Sequence, residues 1–362
     1  MTMPQRRRDL WDNPLGTDGF EFVEFTAPDA KALDELFSKL GFSLVARHRS
    51  KAVTLYRQGG INFILNAESS GFPARFATEH GPSINAFAIR VNDTRRALAH
   101  AARMGAGIRK GGAGPMELNI PAIEGVGGSL LYLVDRFGAF GIYDVDFEFV
   151  EGAARQPQGL GLTHIDHLTH NVQRGHMDEW AEFYERIFNF RQIRHFDIKG
   201  RVTGLKSRAM TSPCGRICIP INEEASKNST GQIAEFLDQY KGDGVQHVAL
   251  AATDLAASLA AMRDNGMRFL DTPDSYYEGI DERLPGHGLD VELLKRNRIL
   301  VDGAPQAGEG LLLQIFTECV IGPIFIELIE RRGNEGFGEG NFQALFEAIE
   351  LDQIRRGIVS ES

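Results

Sequence analysis

The feature that most restricts this chain is a nested internal repeat. SINAFAIRVNDTRRALAHAARMGAGI in the first half resembles GVQHVALAATDLAASLAAMRDNGMRF in the second, each a strand, an Asp at a helix start, an Ala-rich helix and a Gly stop. The halves also begin alike, with a short apolar strand, Phe20 to Phe25 or Ile165 to Val172, running into an amphipathic helix. Asp29 to Leu40 gathers Leu33, Leu36, Phe37 and Leu40 on one face, and Met177 to Phe188 gathers Trp180, Phe183, Tyr184, Ile187 and Phe188. YLVDRFG and ELIERRG close the halves as matching strands, and Gln156 to Gly161 (QPQGLG) has the composition of a linker between them. Four strand–helix–strands modules are too few and too long for a solenoid, so each pair should wrap into a curved, mostly antiparallel sheet. The expectation is an α+β protein of two barrel-like domains, residues 1–155 and 156–362. A length of 362 residues, beyond one typical core, agrees with two.

The net charge of −10 argues against a nucleic-acid partner, which recruits basic surfaces. No run of about 18 apolar residues is present to span a membrane. Arg6, Arg7 and Arg8 are followed by no apolar stretch, which argues against a secretory signal. Cys214, Cys218 and Cys319 are odd in number and match no zinc or redox spacing, so they read as thiols of a reducing compartment, by default the cytoplasm.

Among ten histidines, His164, His167 and His170 resemble a ligand cluster. Alternation along a strand puts His167 on one face and the other two on the opposite face, so at most one side serves a common site. The repeat narrows the choice: His167 lies on the first strand of one module and His247 on the first strand of the next, and equivalent strands are expected to approach across a barrel. Glu327, embedded in the apolar strand IGPIFIELIERR, is costly there unless paired, protonated or bound to metal. The first half is an internal control, with Tyr132 at the position of Glu327, Asn85-Ala86 at that of Gln246-His247, and no histidine in GFEFVEF. Two histidines and one carboxylate leave coordination positions open, as in non-haem iron(II) oxygenases. Zinc hydrolysis competes as a reading, though no HExxH-type motif supplies a neighbouring base.

Over essentially its whole length the chain resembles bacterial 4-hydroxyphenylpyruvate dioxygenases of the vicinal oxygen chelate superfamily. The matching stretches include NPLGTDGFEFVEF, YRQGGINFILN, IDHLTHNV, IPINEE, GQIAEFL, GVQHVAL, LLLQIF and GFGEGNFQALFEAIE. The resemblance implies open barrels of paired βαβββ modules and one iron(II) per subunit on His167, His247 and Glu327. It implies substrate contacts from Ser207, Pro220, Asn222, Gln232, Gln246 and Gln314, and an aromatic wall of Phe316, Phe325, Phe337 and Phe342. An ideal strand turns Gln246 away from the face of His247, so a role for it needs a twist or bulge, and Gln232 and Gln314 rank ahead of it. From Phe342 an amphipathic helix is expected over the catalytic barrel, with the glycine-rich loop before it acting as a lid. The implied reaction converts 4-hydroxyphenylpyruvate and O2 to homogentisate and CO2 in tyrosine and phenylalanine catabolism, in a homotetramer whose N-terminal half is structural. Two alternatives are 4-hydroxymandelate synthase, from which Pro220, Asn222 and Phe337 point away, and a metal-free small-molecule binding protein on the same scaffold.

Overall fold

The computed structural model describes residues 9–109, 116–199, 204–225 and 231–341. Phe342 and the helix expected after it lie outside the described residues, as do Arg6, Arg7 and Arg8.

Among the described residues each half is one mixed sheet built from two modules set edge to edge, nine strands in the first half and eight in the second. In the second half the first module contributes Leu162–Asn171, Arg191–Lys199, Gly204–Thr211 and Cys218–Glu224, with the helix His176–Phe188 after its first strand. The second contributes Gly244–Ala252, Leu300–Gly303, Leu311–Phe316 and Phe325–Arg332, with the helix Leu255–Asp264 in the same position. Asp29, Asp93 and Asp254 cap the helices that follow them, their carboxylates accepting from Lys31 N, Arg96 N and Ala257 N. Three short helices, Asp274–Glu278, Ile280–Arg283 and Val291–Asn297, are inserted into the last module without a counterpart among the described residues of the others.

Period-two burial in the strands creates two faces. Outward-facing residues such as Leu168, Val248 and Leu250 pack with Tyr184 and Leu259 of the helices, while the opposite face is left to line the curl of the sheet. The helix-side cluster is continuous between the halves, joining Phe37, Phe63 and Phe87 to Leu168 and Tyr184. His80 adds a polar tie, its Nδ1 2.7 Å from the carbonyl of Tyr240 with the two rings stacked.

One expectation changes. The strands bearing His167 and His247 do not approach across a barrel; they are antiparallel neighbours in the middle of the sheet, with Thr169 directly opposite His247. The edge-to-edge joint between modules is itself what brings their equivalent strands together. Among the described residues no helix is long and apolar enough to cross a membrane.

Candidate metal centre

Strand register places the site before any side chain is considered. Ala249 stands opposite His167 on one neighbouring strand and beside Glu327 on the other, so all three residues share one face. His167 Nε2 lies 3.3 Å from His247 Nε2 and 3.1 Å from Glu327 Oε2, and His247 Nε2 lies 3.3 Å from that same oxygen. Among the described residues this is the one His/Cys/Asp/Glu trio whose ligand atoms converge in this way. Donor atoms about 2.1 Å from a common ion and at right angles to one another lie about 3 Å apart, so the triangle fits one divalent cation on one side.

Both imidazoles are oriented by the residue just before them. The ladder between Leu162–Asn171 and Gly244–Ala252 slips between Ile165 and His167, leaving Asp166 without an opposite partner, and slips again where Gln246 falls between Val245 and His247. These bulges turn the two side chains toward the neighbouring rings. His167 Nδ1 lies 2.8 Å from Asp166 Oδ1, and His247 Nδ1 makes a short hydrogen bond to Gln246 Oε1. With each Nδ1 donating, each Nε2 keeps its lone pair for the centre of the triangle.

The electrostatics match. Burial disfavours charge on Glu327, but the two imidazoles outweigh it and pull the carboxyl down to about 2. Burial likewise opposes protonation of His167, yet Glu327 and Asp166 raise it to about 9. In His247 burial prevails over the pull of Glu327 and the value falls below the usual imidazole range. A buried anionic oxygen beside one neutral and one protonated imidazole is the metal-free counterpart of a cation site, with a proton standing where a cation would.

The substrate-side expectations divide by position. Register puts Ser207 opposite Asn222, Ala209 opposite Pro220, Asn171 beside Asn222, and Phe316 opposite Glu327. Ser207, Pro220, Asn222, Gln314, Phe316 and Phe325 therefore line the same sheet face as the trio. Phe325 stacks on His247 at 4.7 Å between centroids, Phe316 meets Phe325 edge-on, and Phe337 meets His167 edge-on at 5.4 Å. Gln314 is buried, and its Oε1 has no hydrogen-bond partner among the described residues. Gln246 touches the site through its bulge, whereas Gln232 is exposed as the first residue of the helix Gln232–Tyr240, against the order expected from ideal strands.

Two residues escaped the sequence reading: Asp166, and Arg331, whose Nε and Nη2 each lie 2.8 Å from an oxygen of Asp166. The available signal was the run of charges Glu330-Arg331-Arg332 that closes the strand bearing Glu327, with Arg331 four residues after it.

The first half repeats the frame without the trio. Phe22 and Tyr132 flank Ala88 as His167 and Glu327 flank Ala249, and Ala86 takes the place of His247. The rings of Phe22 and Tyr132, 5.7 Å apart, fill the equivalent space. The bulges persist at Glu21 and Asn85.

Comparison with known proteins agrees with this geometry. Residues 11–148 match the family described as hydroxyphenylpyruvate dioxygenase, HPPD, N-terminal, and residues 164–280 match the glyoxalase/bleomycin resistance protein/dioxygenase superfamily. A 4-hydroxyphenylpyruvate dioxygenase of Pseudomonas aeruginosa is 57% identical over 96% of this chain and 97% of its own length. A Vibrio vulnificus protein named hemolysin VllY is also 57% identical, over 97% of this chain and 99% of its own. Among solved structures, a xylose isomerase-like TIM barrel/4-hydroxyphenylpyruvate dioxygenase fusion protein matches with TM-score 0.78 and 34% identity, covering 94% of this chain and 54% of that one. A mutant 4-hydroxymandelate synthase from Streptomyces coelicolor has the same TM-score at 25% identity, over 93% of this chain and 99% of that one. The shared fold therefore does not separate the two enzymes, but identity over nearly the full length does assign kinship, and the chain belongs to the 4-hydroxyphenylpyruvate dioxygenase family.

Proposed function

We propose that this protein is an iron(II)-dependent dioxygenase that converts 4-hydroxyphenylpyruvate and O2 to homogentisate and CO2. The observation that carries the reading is the trio of His167, His247 and Glu327, with ligand atoms 3.1–3.3 Å apart on a buried sheet face. Its support in kinship is the 57% identity to a 4-hydroxyphenylpyruvate dioxygenase.

Iron(II) held there would chelate the 2-oxo acid group of the substrate and activate dioxygen, so no separate 2-oxo acid is required. The chain's own residues do the rest. Asp166 and Gln246 hold the imidazole protons away from the ion, and Glu327 supplies a charge that offsets part of the cation's. Phe316, Phe325 and Phe337 give the site apolar walls that exclude water from a reactive centre. Gln314 offers a buried amide oxygen free for a substrate group; Ser207, Pro220 and Asn222 line the face beyond His167 and orient the ring, with Gln246 beside the ligands. Gln232 and Phe342 complete the proposed substrate contacts. Residues 1–155 act as a structural, non-catalytic domain and residues 156–362 as the catalytic one, in a cytoplasmic homotetramer serving tyrosine and phenylalanine catabolism.

The test is oxygen uptake by the anaerobically iron-loaded protein with 4-hydroxyphenylpyruvate, followed by identification of the product. Homogentisate is expected. Hydroxymandelate would make the chain a 4-hydroxymandelate synthase, and failure both to hold iron and to consume oxygen would favour a binding protein.

A further inference from the structure

Arg331 uses its whole guanidinium. Nε and Nη2 hold both oxygens of Asp166 at 2.8 Å, and that carboxylate in turn accepts from His167 Nδ1 at 2.8 Å. The remaining nitrogen, Nη1, donates to the main-chain oxygens of Asn334 at 2.9 Å and Gly336 at 2.7 Å. The guanidinium also lies 5.8 Å from the ring of Phe337, the ring that meets His167 edge-on. Two paths from one side chain thus converge on one imidazole, the first through Asp166 and the second through the segment that carries Phe337.

That segment, residues 333–341, lies across both margins of the eight-stranded sheet. Glu339 meets Arg194 of the edge strand Arg191–Lys199 at 3.5 Å, and Gly340 N donates to Asp302 of the opposite edge strand at 2.9 Å. Gly338, at φ +78°, rests directly on the side chain of Gln314. Asn334 closes its own turn by accepting from Gly336 N at 2.6 Å. Among the described residues, the pair of carbonyl bonds from Arg331 is the one hydrogen-bonded tie of this segment whose donor also grips the carboxylate that orients His167, while the ring of Phe337 touches His167 itself. A lysine could balance the charge of Asp166, but it has no planar fork to serve a carboxylate and two carbonyls together.

We propose that Arg331 is a positioning residue that couples the seating of residues 333–341 to the orientation of His167, so that metal retention and closure of this segment reinforce each other. The inference rests on the reading of His167, His247 and Glu327 as a metal centre. Metal binding fixes the His167 ring, which holds Asp166, which holds Arg331, which holds the segment; because coupling is reciprocal, the same links run backwards.

The experiment uses the full-length chain, freed of metal and titrated with cobalt(II), with amide hydrogen exchange over residues 333–341 followed with and without the ion. In the wild type, cobalt(II) should slow exchange across the segment. Arg331→Gln and Arg331→Lys should each lose about 10- to 100-fold in cobalt(II) affinity, the range typical of outer-shell partners, and should lose the metal-dependent protection. Asp166→Asn should lose similar affinity yet keep the metal-independent protection, since the carbonyl bonds of Arg331 survive. The double variant, which leaves no unpaired charge, guards against a simple folding defect and should bind no more weakly than Asp166→Asn alone. Wild-type affinity in a folded Arg331→Gln, or no effect of metal on exchange in the wild type, would overturn the coupling. A wild-type chain that binds no cobalt(II) at all would instead overturn the metal centre.

Discussion

Asp166 and Gln246 play the same part on neighbouring strands: each is the bulged residue immediately before a site histidine, and each accepts that imidazole's Nδ1 proton. They differ in charge. Asp166 is held well below the usual carboxylate range, because Arg331 and His167 outweigh the cost of burying it. Gln246 can only accept as a neutral group. Gln246→Leu should therefore weaken metal binding by about 10- to 100-fold while leaving the fold intact, since the His247 ring loses its orienting partner but no charge is stranded. Cobalt(II) titration of the metal-free variant measures this, and wild-type affinity would mean that packing against Phe325 suffices to orient the ring.

Glu327→Ala removes the carboxylate that both Nε2 atoms approach. A direct ligand matters more than an outer-shell partner, so oxygen uptake with 4-hydroxyphenylpyruvate should fall by more than about 100-fold. Near-ultraviolet circular dichroism should stay like that of the wild type, because the sheet retains its apolar neighbours. Retained turnover in the variant would remove Glu327 from the centre.

Metal binding should depend on pH in a defined direction. With no metal present His167 is raised to about 9 and Glu327 lowered to about 2. At neutral pH the site thus carries one proton that the ion must displace. Apparent cobalt(II) affinity should rise about tenfold per pH unit up to about 9 and then level off. For the metal-free fold the sign is opposite: the stability that His167 contributes is complete below its unfolded value of about 6.5 and is lost as pH rises through about 9. Proton release measured calorimetrically in two buffers of different ionisation enthalpy checks the first statement, and a flat affinity profile would contradict it.

Much of this was legible in the sequence because repeats, helix caps and apolar periodicity are local. Asp93 and Asp254 cap where expected, Asp29 caps the helix it was read as beginning, and Tyr132 and Ala86 stand where the duplication places the counterparts of Glu327 and His247. The bulges at Asp166 and Gln246 were not legible. A bulge is a relation between two strands, and alternation along one strand assigns both side chains to the wrong face. The same limit hid Arg331, whose partners lie 165 residues away in one direction and 3 and 5 residues away in the other. The adjacency of the two histidine strands depends on how modules join, which no single module encodes.

Gly338 should resist substitution. Its φ of +78° is unfavourable for any side chain, and an added Cβ would meet Gln314 Oε1 at 2.0 Å. Gly338→Ala should destabilise the closed segment by about 1–3 kcal/mol, the usual range for backbone strain of this kind. Faster hydrogen exchange confined to residues 333–341, with no loss of the global unfolding transition, is the expected signature. Unchanged exchange there would show that the segment shifts off Gln314 without cost.

His170 supplies a pH test away from the trio. Its ring is fully buried on the helix side of the sheet, with Nε2 2.8 Å from the hydroxyl of Tyr184, and burial drives it down to about 3. The unfolded chain takes up a proton on this imidazole near pH 6.5, which the folded chain refuses until about pH 3. Unfolded molecules therefore bind more protons through this window, and stability rises with pH across it. The contribution is complete above about 6.5 and is lost on acidification at up to about 1.4 kcal/mol per pH unit. His170→Gln keeps a hydrogen-bonding group toward Tyr184 but cannot titrate. Urea unfolding of the metal-free proteins at pH 7.5 and pH 5 should show a smaller acid loss in the variant than in the wild type. Equal losses would mean that the folded protein admits the proton, and that His170 is not sealed by the helix His176–Phe188 packed over it.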